Sequence, residues 1–450
     1  MCFPTAALSR AVARNWRWSL KQKVIPPLTK RRHEGSGKVT APNTAKRTVH
    51  LGEAENTLIS QLLSAGARGA ADELAASGLP TRRIEAYHYT DLKALLGEVP
   101  AIAEEAGQVG PPKFRVPGAY RILVANGRIQ QSTTPPNGVV VSEAGGSSLT
   151  ERDDVLVMLN HGLVEKSLAI GLENSVDPIV HIDHRIAGAP AHTAGALRIE
   201  VAPGATATVL ETFSGSDAAH MGNQGTRVEL GDGARFTHIV VDLSALNSRH
   251  FHTIEYAVGA NVQLRNLLVN SGSALSRTQM FGVFAGEGAH GDFSGLNLVD
   301  DGQHNDITLD VNHAVPNTTS QELFKSVVRN RAKAIFQGRI VVSPKAQKTD
   351  AKMMMQGLML SEGAQILSKP ELEIFADDVQ CGHGSTCGEL DAQSMFYMMS
   401  RGIAREDAKA MLIRAFVQEL LDPIEDEELS EALSGVVEEW LSRPAKSPAI

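Results

Sequence analysis

The sequence predicts a mainly β protein whose core is a stack of similar coils, with helical regions at both ends. Three observations predict it. The dipeptide Gly-Ala, preceded by small or polar turn residues and followed by a strand-like run, recurs at 204, 233, 259, 288 and 363. That is a degenerate period of roughly 25 residues of strand and turn. Alternating segments flank the copies, such as Arg227-Val228-Glu229-Leu230 before Gly233 and Phe236-Thr237-His238-Ile239 after it. Ahead of and behind this stretch, apolar residues recur at helical spacing instead. A single coil cannot bury its apolar face, whereas stacked coils share one continuous core. A β-sandwich also gives short alternating strands, but the regular period favours coils.

Taken in order, residues 57–77 place Leu58, Ile59, Leu62, Leu63 and Leu74 at helical spacing, and the pattern stops at Gly78-Leu79-Pro80. Asp91-Leu92-Lys93-Ala94-Leu95-Leu96 is the next helix-like piece. A linker rich in proline and glycine follows, through Gly110-Pro111-Pro112 and Pro117-Gly118. A strand over 120–125 then turns at Asn126-Gly127, a strong hairpin signal. After the coils, Met395, Met398 and Met399 lead to a helix end at Arg401-Gly402. A second helix over about 406–421 carries Leu412, Ile413, Phe416, Val417 and Leu420 on one face and stops at Asp422-Pro423. A third, acidic helix runs to about Trp440. These three read as a docking module or as a lid on the end of the coil stack. The division is therefore 1–48, a basic extension expected to be disordered; 49–110, helical; 111–390, the β core; and 391–450, a C-terminal helical region.

Composition limits the function. Aromatic residues make up 5% of the chain and glycine numbers 40, which fits many turns and a core of small and β-branched side chains. Residues 1–48 hold 11 Lys and Arg against one acid, Glu34, so the rest carries 32 basic and 50 acidic residues. A body that acidic argues against nucleic acid as the main partner, because phosphate binding needs a cationic surface. No apolar run approaches the roughly 18 residues needed to span a bilayer. The basic leader, with Trp16, Trp18 and Pro26-Pro27, reads as a disordered arm, an organellar transit peptide or a membrane-surface arm. Three cysteines, Cys2, Cys381 and Cys387, give no disulfide framework, although Cys381 and Cys387 could pair. A reducing cytoplasm is the simpler expectation.

Chemistry concentrates in one stretch, Asp377-Asp378-Val379-Gln380-Cys381-Gly382-His383-Gly384-Ser385-Thr386-Cys387-Gly388-Glu389-Leu390-Asp391. Thiolate and imidazole are the ligands that iron, zinc and copper prefer. If 379–383 is extended, Cys381 and His383 share a face, and Gly382 and Gly384 clear the other for close approach. Two ligands are too few for a structural zinc site, so a partner completes the sphere or no metal binds. The bland alternative is a buried Cys beside a turn His. Cys387 lies beyond an expected turn at Gly384-Ser385-Thr386 and reads as a third ligand or as a core residue. Asp377 and Asp378 offer oxygen ligands or are solvated turn residues. His304, Asp306 and His313 invite comparison with the two-His-one-carboxylate iron triad, and define a rival reading as an autonomous non-haem metal enzyme. Gly35-Ser36-Gly37-Lys38-Val39 lacks the other features of a P-loop. No nucleophile elbow or zinc-protease helix is present, which points away from an ordinary enzyme.

Several of these motifs together resemble the SufB/SufD family of iron–sulfur cluster assembly proteins. They are Leu372-Glu373-Ile374-Phe375-Ala376-Asp377-Asp378-Val379 through Cys381-x-His383-Gly384-Ser385-Thr386, Gly388-x-Leu390-Asp391, and Phe396-Tyr397 to Ser400-Arg401-Gly402-Ile403. Phe336-x-Gly338-x-Ile340-x-Val342 leading to Ala346-Gln347-Lys348-Thr349 joins them, as does Gln303-His304-x-Asp306 to His313 with Ser320 and Lys325. Leu79-Pro80-Thr81-Arg82-Arg83-x-Glu85-Ala86-Tyr87-x-Tyr89-Thr90 resembles a segment typical of the SufD branch. The resemblance covers roughly 57–421.

The resemblance implies a right-handed parallel β-helix core with helical N-terminal and C-terminal regions. It implies a non-catalytic scaffold subunit that pairs with SufB through the β-helix and docks the SufC ATPase on the C-terminal helices, so that the nucleotide belongs to the partner. Iron or a nascent iron–sulfur cluster, transient and shared with SufB, is the implied cargo. His383 is the implied ligand and Cys381 the weaker one; Cys387, His304, Asp306 and His313 are weaker candidates from the residues alone. Two departures stand out: Cys387 occupies a position more often apolar in the family, and the leader before residue 49 has no counterpart. A β-helix polysaccharide enzyme or binder would need exposed aromatic or acidic rows along one face, and the low aromatic content opposes it.

Overall fold

The computed structural model describes residues 50–104 and 109–444. The basic leader with Cys2, Trp16, Trp18 and the glycine-lysine run at 35–38 lies outside the described residues. No described helix is long and apolar enough to cross a membrane.

The helical run expected over 57–77 is two helices, Glu53–Ser64 and Arg68–Ser77. They break at Gly66, whose φ of +79° suits glycine and cannot continue a helix. Leu58, Leu62 and Leu74 are buried as their spacing demands, whereas Leu63 points outward. The piece expected at 91–96 is one turn, Leu92–Leu95, started by the Asp91 carboxylate, which accepts the Ala94 N–H at 3.0 Å. Asn126 and Gly127 both take positive φ (+49° and +78°), which closes the hairpin between Tyr120–Ala125 and Arg128–Ser132 in the twist that hairpins favour.

From there the chain alternates between two sheets. One holds, in order, Val139–Gly145, Lys166–Leu172, His192–Val201, Met221–Leu230, Arg249–Val258, Leu275–Phe284, His304–His313, Lys333–Val342 and Gln365–Ile374. The other begins at the hairpin and continues with Val180–Ile186, Thr206–Gly215, Arg235–Asp242, Gln263–Asn270, His290–Val299, Thr319–Val328, Asp350–Met359 and Gln380–Gly388. Successive coils pair in parallel and in unbroken register, for example Arg249 with Leu275 and Leu275 with His304. Only the hairpin and Val139–Gly145 pair antiparallel, at the N-terminal end of the stack. This is a parallel β-helix, flattened to two sheets, whose inward residues (Val209, Phe236, Leu264 and Phe293 among them) form one continuous apolar core.

The period needs correcting. Strands of the first sheet begin at 192, 221, 249, 275, 304, 333 and 365, so a coil takes 26 to 32 residues rather than roughly 25. Gly204, Gly233, Gly259 and Gly288 lie where the chain passes from the first sheet to the second, but Gly363 lies on the return turn. Each coil has two turns and both tolerate the dipeptide, so the fifth copy is out of phase. Three of these glycines need a left-handed backbone, with φ of +70° to +73°. Gly259 instead needs close approach, because a Cβ there would stand 2.7 Å from the Leu230 carbonyl oxygen.

Helices cover the outer face of each sheet. Val155–Leu163, unforeseen in the sequence, is started by Asp154, whose carboxylate accepts the Leu156 and Val157 N–H groups. It packs Leu156 and Leu159 between the N-terminal helices and Met221, Phe251 and Leu275 of the first sheet. Arg405–Leu421 and Glu427–Ser442 lay Ile413, Val417, Leu433 and Trp440 on Ile239, Leu267 and Leu296 of the second. They therefore flank the second sheet and do not cap the end of the stack. Lys325 donates to the Phe416 carbonyl at 2.7 Å, and the Arg329 guanidinium lies 4.4 Å from the Trp440 ring. Ala392–Ser400, by contrast, buries none of its residues.

Candidate functional site

The C-terminal end of the stack is open. Gln380–Gly388 pairs on one side with Asp350–Met359, matching Cys381 to Ala351, His383 to Met353, Ser385 to Met355 and Cys387 to Gly357. Ala351, Met353 and Met355 are buried and face the interior. Parallel register puts Cys381, His383, Ser385 and Cys387 on that same interior-facing side. No further coil stacks above them among the described residues, so His383 and Cys387 are exposed and Cys381 is half-buried against the core. The turn expected at Gly384-Ser385-Thr386 is absent, and the strand runs straight through Cys387.

Backbone polarity follows from the same pairing. The Gln380 N–H donates to the Thr349 carbonyl at 2.9 Å. In a parallel ladder alternate residues bond the same neighbour, so the N–H and C=O groups of Cys381, His383, Ser385 and Cys387 face the open edge. Gly382 leaves open space on the outer face, whereas at Gly384 a Cβ would meet Met354 Cε at 2.9 Å. Gly357 makes room for the Cys387 thiol, since a Cβ there would sit 3.0 Å from its Sγ.

Cys381 and Cys387 are both free thiols. Six residues of extended strand hold their Cα atoms about 20 Å apart, which rules out a disulfide between them. Burial pushes both thiols up from their ordinary value, and for Cys381 the charges of Asp350 and Glu322 add to it, against the Ala351 N–H. Asp377 and Asp378 lie in the exposed turn before the strand. Asp378 is ion-paired to Lys348, and its N–H donates to the Gln347 side chain at 2.9 Å. Among the described residues, no group of three or more His, Cys, Asp and Glu side chains is arranged to hold a metal ion.

His304, Asp306 and His313 share one strand but not one face. They span nine positions, an odd number, so His304 and Asp306 point outward while His313 points inward. Outside, the Thr90 hydroxyl bonds both His304 Nε2 (3.0 Å) and the Asp306 carboxylate. Asp306 is ion-paired to Arg277, which is fully buried, donates to the Ala86 carbonyl at 2.9 Å and lies over the Tyr87 ring. Inside, both ring nitrogens of His313 are committed, to Thr318 at 2.8 Å and Ser320 at 3.0 Å. The parity was readable in the sequence and opposes a triad. The Asp306–Arg277 pair instead latches the N-terminal segment to the first sheet. Asp306→Ala should destabilise the fold by about 3–5 kcal/mol, because it strands a buried guanidinium without its counter-charge. Urea unfolding measures this, and a loss below about 1 kcal/mol would show that the latch is unimportant.

Two interior carboxyl groups escaped the sequence reading. Glu211 accepts from His238 Nε2 (3.0 Å), His184 Nε2 (3.1 Å) and the Thr226 hydroxyl (3.0 Å). Burial alone would raise its pKa, but hydrogen bonds from His184 and His238 with the charges of His252 and His238 bring it well below the ordinary carboxylate range. Glu322 is fully buried on the inner face, and neither of its carboxyl oxygens has a hydrogen-bond partner. The available signal was a lone acid inside an apolar strand, as in Val209-Leu210-Glu211-Thr212-Phe213 and Ser320-Gln321-Glu322-Leu323-Phe324.

Comparison with known proteins places these features. A family model described as SUF system FeS cluster assembly, SufBD core domain, matches residues 184–416. The chain is 28% identical to the iron–sulfur cluster assembly protein SufD of Escherichia coli K12, over 88% of this chain and 96% of that protein. It is 28% identical to an iron–sulfur cluster assembly SufBD family protein of Synechocystis, over 79% of this chain and 86% of that one. A third relative, the protein SufD of Plasmodium falciparum, is 29% identical over 45% of this chain and 14% of its own length.

Proposed function

Since the chain belongs to the SufBD family of iron–sulfur cluster assembly proteins, we propose that it is a non-catalytic scaffold lending its last coil to a cluster-building site shared with a SufB-type subunit. The open coil carries this reading: one strand presents Cys381 and His383 from its interior-facing side, and its outer edge bonds no other described strand. Iron and sulfide are the cargo. An exposed imidazole and a half-buried thiol supply a nitrogen and a sulfur donor, and the remaining positions fall to the facing subunit, because four ligands close a tetrahedral sphere. A strand added to the free edge would bring that subunit's side chains opposite His383.

The same reading gives the nucleotide to a SufC-type ATPase seated on the C-terminal helices. Phe396 (75% exposed) and Tyr397 (59%) stand out on Ala392–Ser400, which supports docking there. Movement of the ATPase would open and close the shared site, provided the two nucleotide states make different contacts. The reading places the protein in the bacterial cytoplasm, or in an organelle if the basic leader directs import. The rival reading as an autonomous metal enzyme loses its centre, because His313 faces away from His304 and Asp306 already holds Arg277.

The test is co-purification with SufB-type and SufC-type partners. His383→Ala should assemble normally but carry about tenfold less iron and sulfide, the scale expected when ligation at a metal site is disturbed. Equal loading of mutant and wild type would make His383 structural. Failure of the wild type to assemble would overturn the scaffold reading.

A further inference from the structure

Neither carboxyl oxygen of Glu322 has a hydrogen-bond partner of good geometry. It lies on the inner face of Thr319–Val328, in register between Phe293 of the preceding coil and Met353 of the following one. Met353 in turn registers with His383. The carboxyl therefore stands in the same interior row as His383, two strand spacings below it, about 9.5 Å between Cα atoms. The neighbouring row is short-chained, with Ser320 below Ala351 below Cys381. Burial pushes the Glu322 carboxyl up to about 8, against the pull of the Ser320 hydroxyl, and the charge of Asp292 adds to the rise. The Ser320 hydroxyl, which lies 3.0 Å from His313 Nε2, makes no hydrogen bond of good geometry to either carboxyl oxygen. Buried acids without partners are rare because each one costs stability. This one stands in the row of His383, with Met353 between them.

We propose that Glu322 is a buried counter-charge for a divalent cation held by Cys381 and His383, left unpaired inside the fold because the cation itself supplies the compensating charge. It does not coordinate the cation; it acts through the low-dielectric core, and its proton leaves to solvent as the cation binds. This rests on the last coil being a cation site. A carboxylate on the order of 10 Å from a divalent ion, the scale set by two strand spacings, in surroundings of effective dielectric near 20, strengthens binding by about tenfold or more.

Co2+ is the probe, titrated into the purified full-length chain while the thiolate-to-cobalt absorption is followed. Glu322→Gln should bind Co2+ at least tenfold more weakly with an unchanged absorption spectrum, and should melt at a higher temperature than wild type. An unchanged affinity would overturn the proposal even if the variant is more stable. An altered spectrum would make Glu322 a direct ligand and overturn the counter-charge role. A lower melting temperature would reveal a structural partner and likewise overturn it. His383→Ala and Cys381→Ala separate this from its premise. If they weaken Co2+ while Glu322→Gln does not, the site stands and the counter-charge falls. If the wild type binds no Co2+, both fall.

Discussion

Acidification from pH 6.5 to pH 4 should unfold this protein cooperatively, followed by far-UV circular dichroism at fixed ionic strength. His181, His192, His304 and His313 are brought down to about 4, and His252 to about 3. Burial is the first cause in every case, because a low-dielectric interior penalises the imidazolium. In the unfolded chain these rings protonate near 6.5. Between 6.5 and 4 the unfolded state therefore binds more protons than the folded one, and stability falls with pH. Each ring costs the folded state roughly 3 kcal/mol once its own pKa is passed. Five such rings come to about 15 kcal/mol, the top of the 5–15 kcal/mol by which domains are usually stable, and even halved they rival it. Glu211 works in the same direction, since its depressed pKa makes its stabilisation vanish as it protonates. Glu322 opposes them: a carboxyl raised to about 8 weakens the fold as pH rises from 4.5 to 8, so acid relieves that strain. One group against six leaves the sign unchanged. An acid midpoint below pH 4 would mean that these rings protonate without unfolding the coils.

Replacing Ser385 with proline should weaken the proposed assembly with a SufB-type partner while leaving the chain folded. The Ser385 N–H faces the open edge and bonds no other described strand, so its loss is tolerable where proline is normally found in sheets, on an edge strand. An incoming strand would meet a ring and a missing donor that leaves its acceptor unsatisfied, a penalty of about 1–3 kcal/mol, equivalent to about a 5- to 150-fold loss in affinity. Thr386→Pro is the contrasting variant. Its N–H points back to Asp350–Met359, so it should lower the melting temperature of the subunit itself. Co-purification and thermal melting of both variants read the two faces of one strand. Normal assembly of Ser385→Pro would show that partners join somewhere other than this edge.

How far the sequence led can be judged residue by residue. The coil architecture was legible because Gly204, Gly233 and Gly288 must take a left-handed backbone at equivalent turns, and repetition exposes a shared constraint. The phase was not, because a coil has two turns and Gly363 marks the other one. The split at Gly66 was hidden because both flanking segments are helical with compatible spacing. Val155-Leu156-Val157-Met158-Leu159 is a short apolar run that strand and helix share, and only the Asp154 cap decides it. Period two correctly joined Cys381 to His383. Whether an inward face is buried depends on whether another coil follows, and that is a property of the stack rather than of the strand. Glu322 illustrates the limit most clearly: its lack of a partner exists only in three dimensions.

The two ends of the stack differ, and that difference sets the valence of the subunit. At the N-terminal end the hairpin at Asn126-Gly127 and the strand Val139–Gly145 reverse direction, so the parallel ladder terminates there. At the other end Gln380–Gly388 stops in mid-ladder. A building block with two matching ends polymerises without limit; a block with one live end and one dead end can form a single junction and then stop. On the proposed reading, a chain of this design would join its mate through this one end, as a finite pair rather than a fibre.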